Sequence, residues 1–381
     1  MENSGTILEI GLVLLGAAGL GSLARRAGLP AVVGYLAIGI AVSPFTPGYV
    51  ADRHQIELLA DVGVVLLLFE VGIEVDLPRL RREHAGLLWA APVQVLLSGS
   101  IAGAAFLACG IEPLSAAILG LCVALSSSVV IVNITRSRRR TTNQPTEAAL
   151  LGWSVLQDVT GVAIAAGLLA ALGAGDRPFP IALGGLLVFV ALAIATAWLL
   201  PRVVIHLREQ PDTFLIVSVA SGLALAGLGS VVFGVPLALA AFVAGLAIVE
   251  DPVTAEVRQR LLPFRDLFAV LFFVAIGMLL DPADLGRSLG WLGLFLVLIV
   301  GAKVVPAWVL ARVSRLQARP LQLATGLGQM GEFSFVLGSA LVAAGGIARP
   351  VYVALVAAVA VSIAASSVLV RYVERPASSG D

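Results

Sequence analysis

The chain has 381 residues, of which 59% are hydrophobic and only 13% are charged, and its formal net charge is zero. Soluble domains carry about 25% charged residues, so this composition and the mean hydropathy of +1.02 exclude an ordinary soluble protein and indicate a polytopic membrane protein. The neutral charge balance offers no electrostatic basis for binding nucleic acid. The two cysteines and three histidines lack the spacing of metal ligands, and we expect neither an enzyme nor a cofactor.

Apolar runs long enough to cross a bilayer recur along the whole chain. They lie at about 6–24, 31–49, 55–75, 85–108, 113–134, 146–172, 181–206, 212–230, 236–249, 262–280, 289–311, 320–344 and 350–371. We therefore predict an all-α polytopic membrane protein with about thirteen transmembrane helices.

Basic residues alternate between the connections of these runs. Nineteen arginines follow odd-numbered runs and four follow even-numbered runs. Because basic loops stay in the cytoplasm, this alternation predicts an extracellular N-terminus and a cytoplasmic C-terminus. We expect a multi-pass protein of a bacterial-type inner (plasma) membrane.

Similar motifs recur in the two halves of the chain at a nearly constant offset. Matching glycines lie 205 or 206 residues apart: Gly39 and Gly245, Gly72 and Gly277, Gly120 and Gly326. Runs 1–6 therefore correspond to runs 8–13, with run 7 as connector. Because a single helix joins two copies of six helices, the second copy has the opposite orientation in the membrane. Such an inverted repeat is typical of secondary transporters.

One carboxylate, Asp158, lies near the middle of the sixth run, next to the carboxamide of Gln157. An ionisable group at that depth costs at least ~2.5–3.5 kcal/mol and by default marks a functional site. The alternative is a protonated Asp158 that only hydrogen-bonds a neighbouring helix. We predict that Asp158 binds the transported ion, with Gln157 beside it.

Two corresponding runs, the fifth and the twelfth, contain residues that weaken a helix. Ser126, Ser127 and Ser128 interrupt the fifth, and the twelfth contains the glycine-rich stretch 326–332, which includes Gln329 and Glu332. Interrupted helices at matching positions of two repeats mark the ion site of many transporters. The alternatives are small-residue helix packing for the serines and a structural cap of a half-helix for Glu332.

The chain contains a single lysine, Lys303, about nine residues from the nearest helix end. That depth is ~14 Å, too far to reach the membrane surface, so Lys303 needs a partner: Asp158, an exposed carbonyl at a helix break, or a purely structural contact. For Glu70 in the third run two interpretations are equally good: a carboxylate that lines an aqueous funnel, or one that lies at the membrane interface.

Together these patterns resemble the cation:proton antiporter-2 family, the Kef-type potassium and sodium/proton exchangers. The resemblance rests on GYLAIG at 34–39, LLFEVGIEVD at 67–76, ALSSSVV at 124–130, LQDV at 156–159, FFVAIGM at 272–278, Lys303 followed by Arg312, and GQMGEFSFVL at 328–337.

The resemblance implies an Nha-type fold with two crossing discontinuous helices, a core domain and a homodimer. By position, 1–80 and 211–285 are the dimerisation parts, 81–175 and 286–373 the core parts, 176–210 a linker helix and 374–381 a short cytoplasmic tail. Many electrogenic relatives have two adjacent aspartates where this chain has Gln157 and Asp158, so we expect electroneutral exchange. Proteins of this family usually continue into a cytoplasmic nucleotide-binding domain, and because no strand–GxGxxG–helix pattern follows the last run, gating by such a domain is not assumed here.

We therefore predict an antiporter that exchanges Na⁺ or K⁺, or both, for H⁺ by alternating access, with Asp158 as the shared carrier. Ser126, Ser127, Ser128 and Gln157 would complete the cation site, and Lys303, Glu332, Gln329 and Glu70 would support it. Three alternatives remain: a channel-like K⁺ efflux protein, a sodium-coupled solute symporter and a non-transporting membrane sensor.

Overall fold

All regular secondary structure in the described part of the chain is helical. The computed structural model describes residues 2–27, 31–46, 85–136, 141–172, 179–204, 210–233, 237–246, 252–278 and 282–373, with isolated positions between 56 and 69 and at 235 and 280. Glu70 lies outside the described residues.

Fifteen α-helices are present in these residues. They are α1 (Glu2–Arg26), α2 (Ala31–Ala41), α3 (Ala85–Ala108), α4 (Pro113–Ala124), α5 (Ser128–Arg136), α6 (Gln144–Leu172), α7 (Phe179–Val204), α8 (Pro211–Val231), α9 (Leu237–Leu246), α10 (Pro252–Met278), α11 (Leu285–Leu298), α12 (Val305–Val313), α13 (Pro320–Leu327), α14 (Phe333–Ala343) and α15 (Arg349–Leu369). A π-helical segment, Ile299–Val304, joins α11 to α12.

Five helical stretches in the described residues are long and apolar enough to cross a membrane. They are Ile7–Arg26, Gly86–Ala108, Gln144–Leu169, Gly286–Val313 and Arg349–Leu369. Large apolar side chains remain exposed on them, such as Ile7 and Leu15 on α1 and Leu96 on α3, as lipid-facing surfaces require. The count of thirteen spans and the inverted repeat stay predictions.

The chain divides into two compact units. Unit 1 comprises Met1–Ala27, Ala31–Asp76 and Leu169–Pro282, and unit 2 comprises Gly28–Pro30, Leu77–Leu168 and Ala283–Asp381. The segment predicted as a linker helix, 176–210, belongs to unit 1. The roles of dimerisation part and transport core stay predictions.

Within each unit, glycines let helices approach closely. In unit 1, α2 packs on α10, and a Cβ on Gly277 would lie 2.9 Å from the Gly39 Cα. In unit 2, α3 packs on α4, and a Cβ on Gly120 would lie 2.7 Å from the Gly103 nitrogen. Small residues at such contacts are how membrane helices gain close backbone packing.

Caps set the ends of the helices of unit 2 that carry the polar residues. Glu112 accepts hydrogen bonds from the Ser115 backbone N–H and hydroxyl at the start of α4, at 3.4 and 3.3 Å, with Pro113 in the first turn, where proline is favoured. Two residues after the end of α14, Gly345 has a positive φ of 69°, a conformation that glycine adopts at little cost. α4 and α15 both pack against α14.

Candidate functional site: two helix breaks and a buried carboxylate

The first helix break of unit 2 separates α4 from α5. Leu125 is extended, with φ −87° and ψ 142°, and Ser128 begins α5. The last carbonyls of a helix have no hydrogen-bond partners within it. At the end of α4 a side chain provides one, because the Ser334 hydroxyl donates to the Cys122 carbonyl at 3.0 Å. The chain can therefore stop a helix in the protein interior without leaving these carbonyls bare.

The second break separates α13 from α14 and covers residues 328–332. The Ser366 hydroxyl donates to the Thr325 and Gly326 carbonyls at 2.8 and 3.1 Å, and the Ser126 hydroxyl donates to the Leu327 carbonyl at 2.8 Å. The glycines that predicted this break from the sequence lie in it or just before it. Both predicted interruptions are thus present in the structure.

The two breaks contact each other. The Gly331 backbone N–H donates to the Leu125 carbonyl at 3.1 Å. The Gln329 side chain spans the contact, since its Oε1 accepts from the Ser127 N–H at 2.9 Å and its Nε2 donates to the Ser127 carbonyl at 3.2 Å. A Cβ on Gly331 would lie 2.7 Å from the Ser126 carbonyl oxygen, so only glycine fits without displacement.

Lys303 joins the two breaks from the π-helical segment. Its Nζ donates to the Leu125 carbonyl at 2.7 Å and to the Gln329 carbonyl at 2.5 Å, and its side chain is fully buried. Both carbonyls lie at the C-terminal side of a half-helix, where the helix dipole favours a positive charge. The structure therefore gives Lys303 the carbonyl partners proposed from the sequence. π-helical turns are rare and often occur at functional sites.

Two of the predicted serines are bound to the breaks themselves. The Ser127 hydroxyl accepts from the Val130 N–H at 3.3 Å and so caps α5, which is the usual role of serine at a helix start. The Ser126 hydroxyl is the donor to Leu327 described above. Ser128, the first residue of α5, is half-buried. The part these serines play in ion binding stays a prediction.

Asp158 and Gln157 lie within α6 and are both buried, with 2% and 0% of their surface exposed. The Asp158 carboxylate interacts electrostatically with Lys303. The Gln157 Nε2 donates to the Ala124 carbonyl at 3.4 Å and to the Gln94 Oε1. The structure therefore brings the carboxylate of α6, the amino group of Lys303 and the two breaks into one region of unit 2.

Glu332 lies at the N-terminal cap position of α14 and is 7% exposed. Its side chain makes no capping hydrogen bond with α14, which disfavours the purely structural cap considered from the sequence. Its role in transport stays a prediction.

Sequence reasoning missed Gln94. It is a fully buried carboxamide in α3, with Trp153 on α6 donating to its Oε1 at 3.3 Å. A signal was present, because Gln94 is the one carboxamide in the apolar run 85–108 and Ser98 follows four residues later on the same helix face.

The region therefore collects a carboxylate, carboxamides, hydroxyls and backbone carbonyls in a buried place. Oxygen ligands of this kind replace the hydration shell of a monovalent cation. A carboxylate can hold a proton in place of the cation, so the two ions can compete for one site.

Two sequence comparisons agree with this description. The family model described as "Sodium/hydrogen exchanger, transmembrane" matches residues 10–375. The chain is 30% identical over 334 residues to YbaL of Escherichia coli (strain K12), which carries the assigned name of a cation/proton antiporter. That match covers 84% of this chain and 59% of YbaL, so the chain spans less than two thirds of this relative.

The fold is similar to solved structures of a sodium proton antiporter, MjNhaP1 from Methanocaldococcus jannaschii. For its structure at pH 8 the TM-score is 0.75, with 15% identity and coverage of 98% of this chain and 99% of that chain. For its electron-microscopy structure the TM-score is 0.69, with 15% identity and coverage of 98% and 96%. At this identity the likeness establishes the fold.

Proposed function

Because this chain belongs to the sodium/hydrogen exchanger family, we propose that it exchanges a monovalent cation for a proton across a membrane, with Asp158 as their shared carrier. Membership confirms the resemblance drawn from the sequence motifs. The family consists of membrane transporters rather than enzymes, as we expected.

The observation that carries the proposal is the setting of Asp158. This carboxylate is buried in unit 2 and interacts electrostatically with Lys303, whose Nζ donates to a carbonyl at each of the two helix breaks. Broken helices beside a buried ionisable group are a typical construction of ion-coupled transporters. YbaL is named a cation/proton antiporter and MjNhaP1 a sodium proton antiporter, and both names agree with this proposal.

In the proposed mechanism Asp158 holds either a proton or a cation, never both. An ionised and empty carboxylate is costly to carry through an apolar barrier, and this cost suppresses leak. Either ion neutralises the carboxylate and allows the site to be presented to the other side. One exchangeable carboxylate supports one-for-one, electroneutral exchange of H⁺ for Na⁺ or K⁺.

Unit 2 is the transport core in this proposal, because the described members of the site all belong to it. Unit 1 supplies the dimerisation part of a homodimer. The thirteen-span inverted repeat, with the N-terminus outside and the C-terminus in the cytoplasm, completes the proposed topology.

Purified protein in liposomes with a trapped pH dye tests the proposal. Pulses of NaCl, KCl and LiCl, with choline chloride as the control salt, identify the ion from the pH change that each one causes. Asp158→Asn removes the ionisable oxygen at nearly constant shape and should abolish the pH change. Asp284→Asn is the matched control, since Asp284 directly precedes α11 and lies 3.8 Å from the exposed Arg287, and it should exchange normally.

The outcomes separate the candidate functions. Normal exchange by Asp158→Asn would refute the carrier role. Cation flux without a pH change, at rates far above those of transporters, would favour a channel. A folded wild type with no response to any salt would favour a sensor or a solute symporter.

A further inference from the structure

The amide of Gln94 uses its full hydrogen-bonding capacity. Its Nε2 donates to the Ser98 hydroxyl at 2.9 Å and to the Ala124 carbonyl at 3.4 Å. Its Oε1 accepts from the Trp153 Nε1–H at 3.3 Å and from the Gln157 Nε2. A side-chain amide has two N–H donors and two acceptor positions, so all four are occupied and the amide has one favoured orientation.

Trp153 fixes the direction of this chain of hydrogen bonds. An indole N–H can only donate, and Trp153 is fully buried, so Gln94 must turn its oxygen toward it. The same oxygen then faces Gln157, which must donate a hydrogen bond to it from its NH₂ group. The orientation of the Gln157 amide therefore follows from a donor on the same helix, one turn earlier.

Because the NH₂ group of Gln157 is directed toward Gln94, the amide oxygen Oε1 points away from Gln94. This oxygen is fully buried and has no hydrogen-bond partner among the described residues. Gln157 precedes Asp158 in α6, and its NH₂ donates to the Ala124 carbonyl at the broken end of α4. A buried acceptor without a partner is rare in folded proteins and requires an explanation.

We propose that Trp153 and Gln94 are positioning residues that hold the Gln157 amide so that its carbonyl oxygen, not its NH₂ group, serves the transported cation. The inference rests on the proposed function. A carbonyl oxygen attracts Na⁺ or K⁺ and can accept the proton of a protonated Asp158. An NH₂ group at that place would repel the cation and could accept nothing.

Two substitutions of Gln94 test this orientation. Gln94→Met removes every polar atom of the amide and leaves only the long 3.4 Å bond to the Ala124 carbonyl to orient the Gln157 amide. Gln94→Glu, when protonated in this buried place, loses one of the two donors but keeps a carbonyl oxygen that can accept from Trp153 and Gln157. We expect Gln94→Met to raise the apparent KM for the cation about tenfold or more, the usual cost of losing a ligand's supporting hydrogen bond, with the maximal rate retained. We expect Gln94→Glu to keep the KM close to that of the wild type.

Trp153→Phe removes the indole donor and keeps an aromatic ring, and it should raise the KM as Gln94→Met does. Ser98→Ala is the matched control, because Ser98 contacts the donor side of the same amide, and its KM should not change. The dye-loaded liposomes give KM and maximal rate for each cation, and melting temperatures monitor folding. If Trp153→Phe does not fold, the two Gln94 variants still decide.

If Gln94→Met and Trp153→Phe exchange with the KM and maximal rate of the wild type, the inference is overturned and the proposed function is not. This holds even if both variants melt at a lower temperature, because the network would then be merely structural. Equal KM values for Gln94→Met and Gln94→Glu would also overturn it. A wild type without any cation-dependent pH change would instead overturn the proposed function, and the inference with it.

Discussion

Replacing Lys303 by methionine removes the amino group that joins the two helix breaks but keeps a long apolar side chain. Its Nζ donates to the carbonyls of Leu125 and Gln329. Leu125 would retain the Gly331 N–H as a donor. Gln329 would have no remaining partner for its carbonyl among the described residues.

The expected cost follows from these contacts. A lost hydrogen bond to a charged donor costs ~1.5–3 kcal/mol and a stranded buried carbonyl ~1–3 kcal/mol. Removing a buried positive charge also returns its desolvation cost, which offsets part of the sum. We therefore expect Lys303→Met to lower the free energy of unfolding by roughly 2–4 kcal/mol, equivalent to about 3–5 °C in melting temperature for a chain of this length.

Thermal unfolding of the detergent-purified protein, followed by tryptophan fluorescence, measures this effect. Arg312→Met is the matched control, because Arg312 is an exposed cation on α12 that stacks on Trp308 at 4.1 Å and should cost only ~0.5–1 kcal/mol. Lys303→Arg should not restore stability, since a guanidinium is larger than the compact amino group that fits between two carbonyls. Equal melting temperatures for Lys303→Met and Arg312→Met would refute the reasoning.

Two further substitutions test the contact between the breaks, each by the same melting measurement and by liposome exchange. Gly331→Ala should destabilise the protein by ~1–3 kcal/mol through overpacking and reduce exchange. Gly293→Ala, with no atom within 4 Å of the new Cβ, is the control and should do neither. If Gly331→Ala melts and exchanges like the wild type, the two breaks can separate freely. Ser126→Ala should lower the free energy of unfolding by ~0.5–1.5 kcal/mol, because it loses the hydrogen bond to the Leu327 carbonyl. Ser339→Ala, at an exposed serine, is its control. Similar losses of stability in both variants would contradict a special role for Ser126.

Several members of the site were visible in the sequence because each one violates the apolar pattern around it. Asp158 and Lys303 are ionisable groups inside long apolar runs, and the glycines and serines of the two breaks are poor helix formers. Such violations are costly in a membrane, so each marked a position without any knowledge of its neighbours. The roles assigned to them in transport stay predictions.

Other features could not be read from the sequence because they depend on partners distant in the chain. Gln94 gains its meaning from Trp153 and Gln157, which lie about sixty residues further on. The π-helical segment around Lys303 replaces the plain helix that the apolar run 289–311 predicted. Pro306, which follows this segment, disfavours a regular α-helix over the preceding turn because proline lacks an N–H, but the residue type alone does not decide between a kink and a wider turn.

The sequence by itself determined the membrane class, the family and the positions of the unusual polar residues, because these depend on composition and on local departures from apolar helices. Only the tertiary structure decided which atoms meet. It showed that Ser127 caps α5, that Lys303 donates to carbonyls at both breaks and that an indole N–H fixes the Gln157 amide. Hydrogen bonds are short and directional, so their partners become known only when separate helices are packed together.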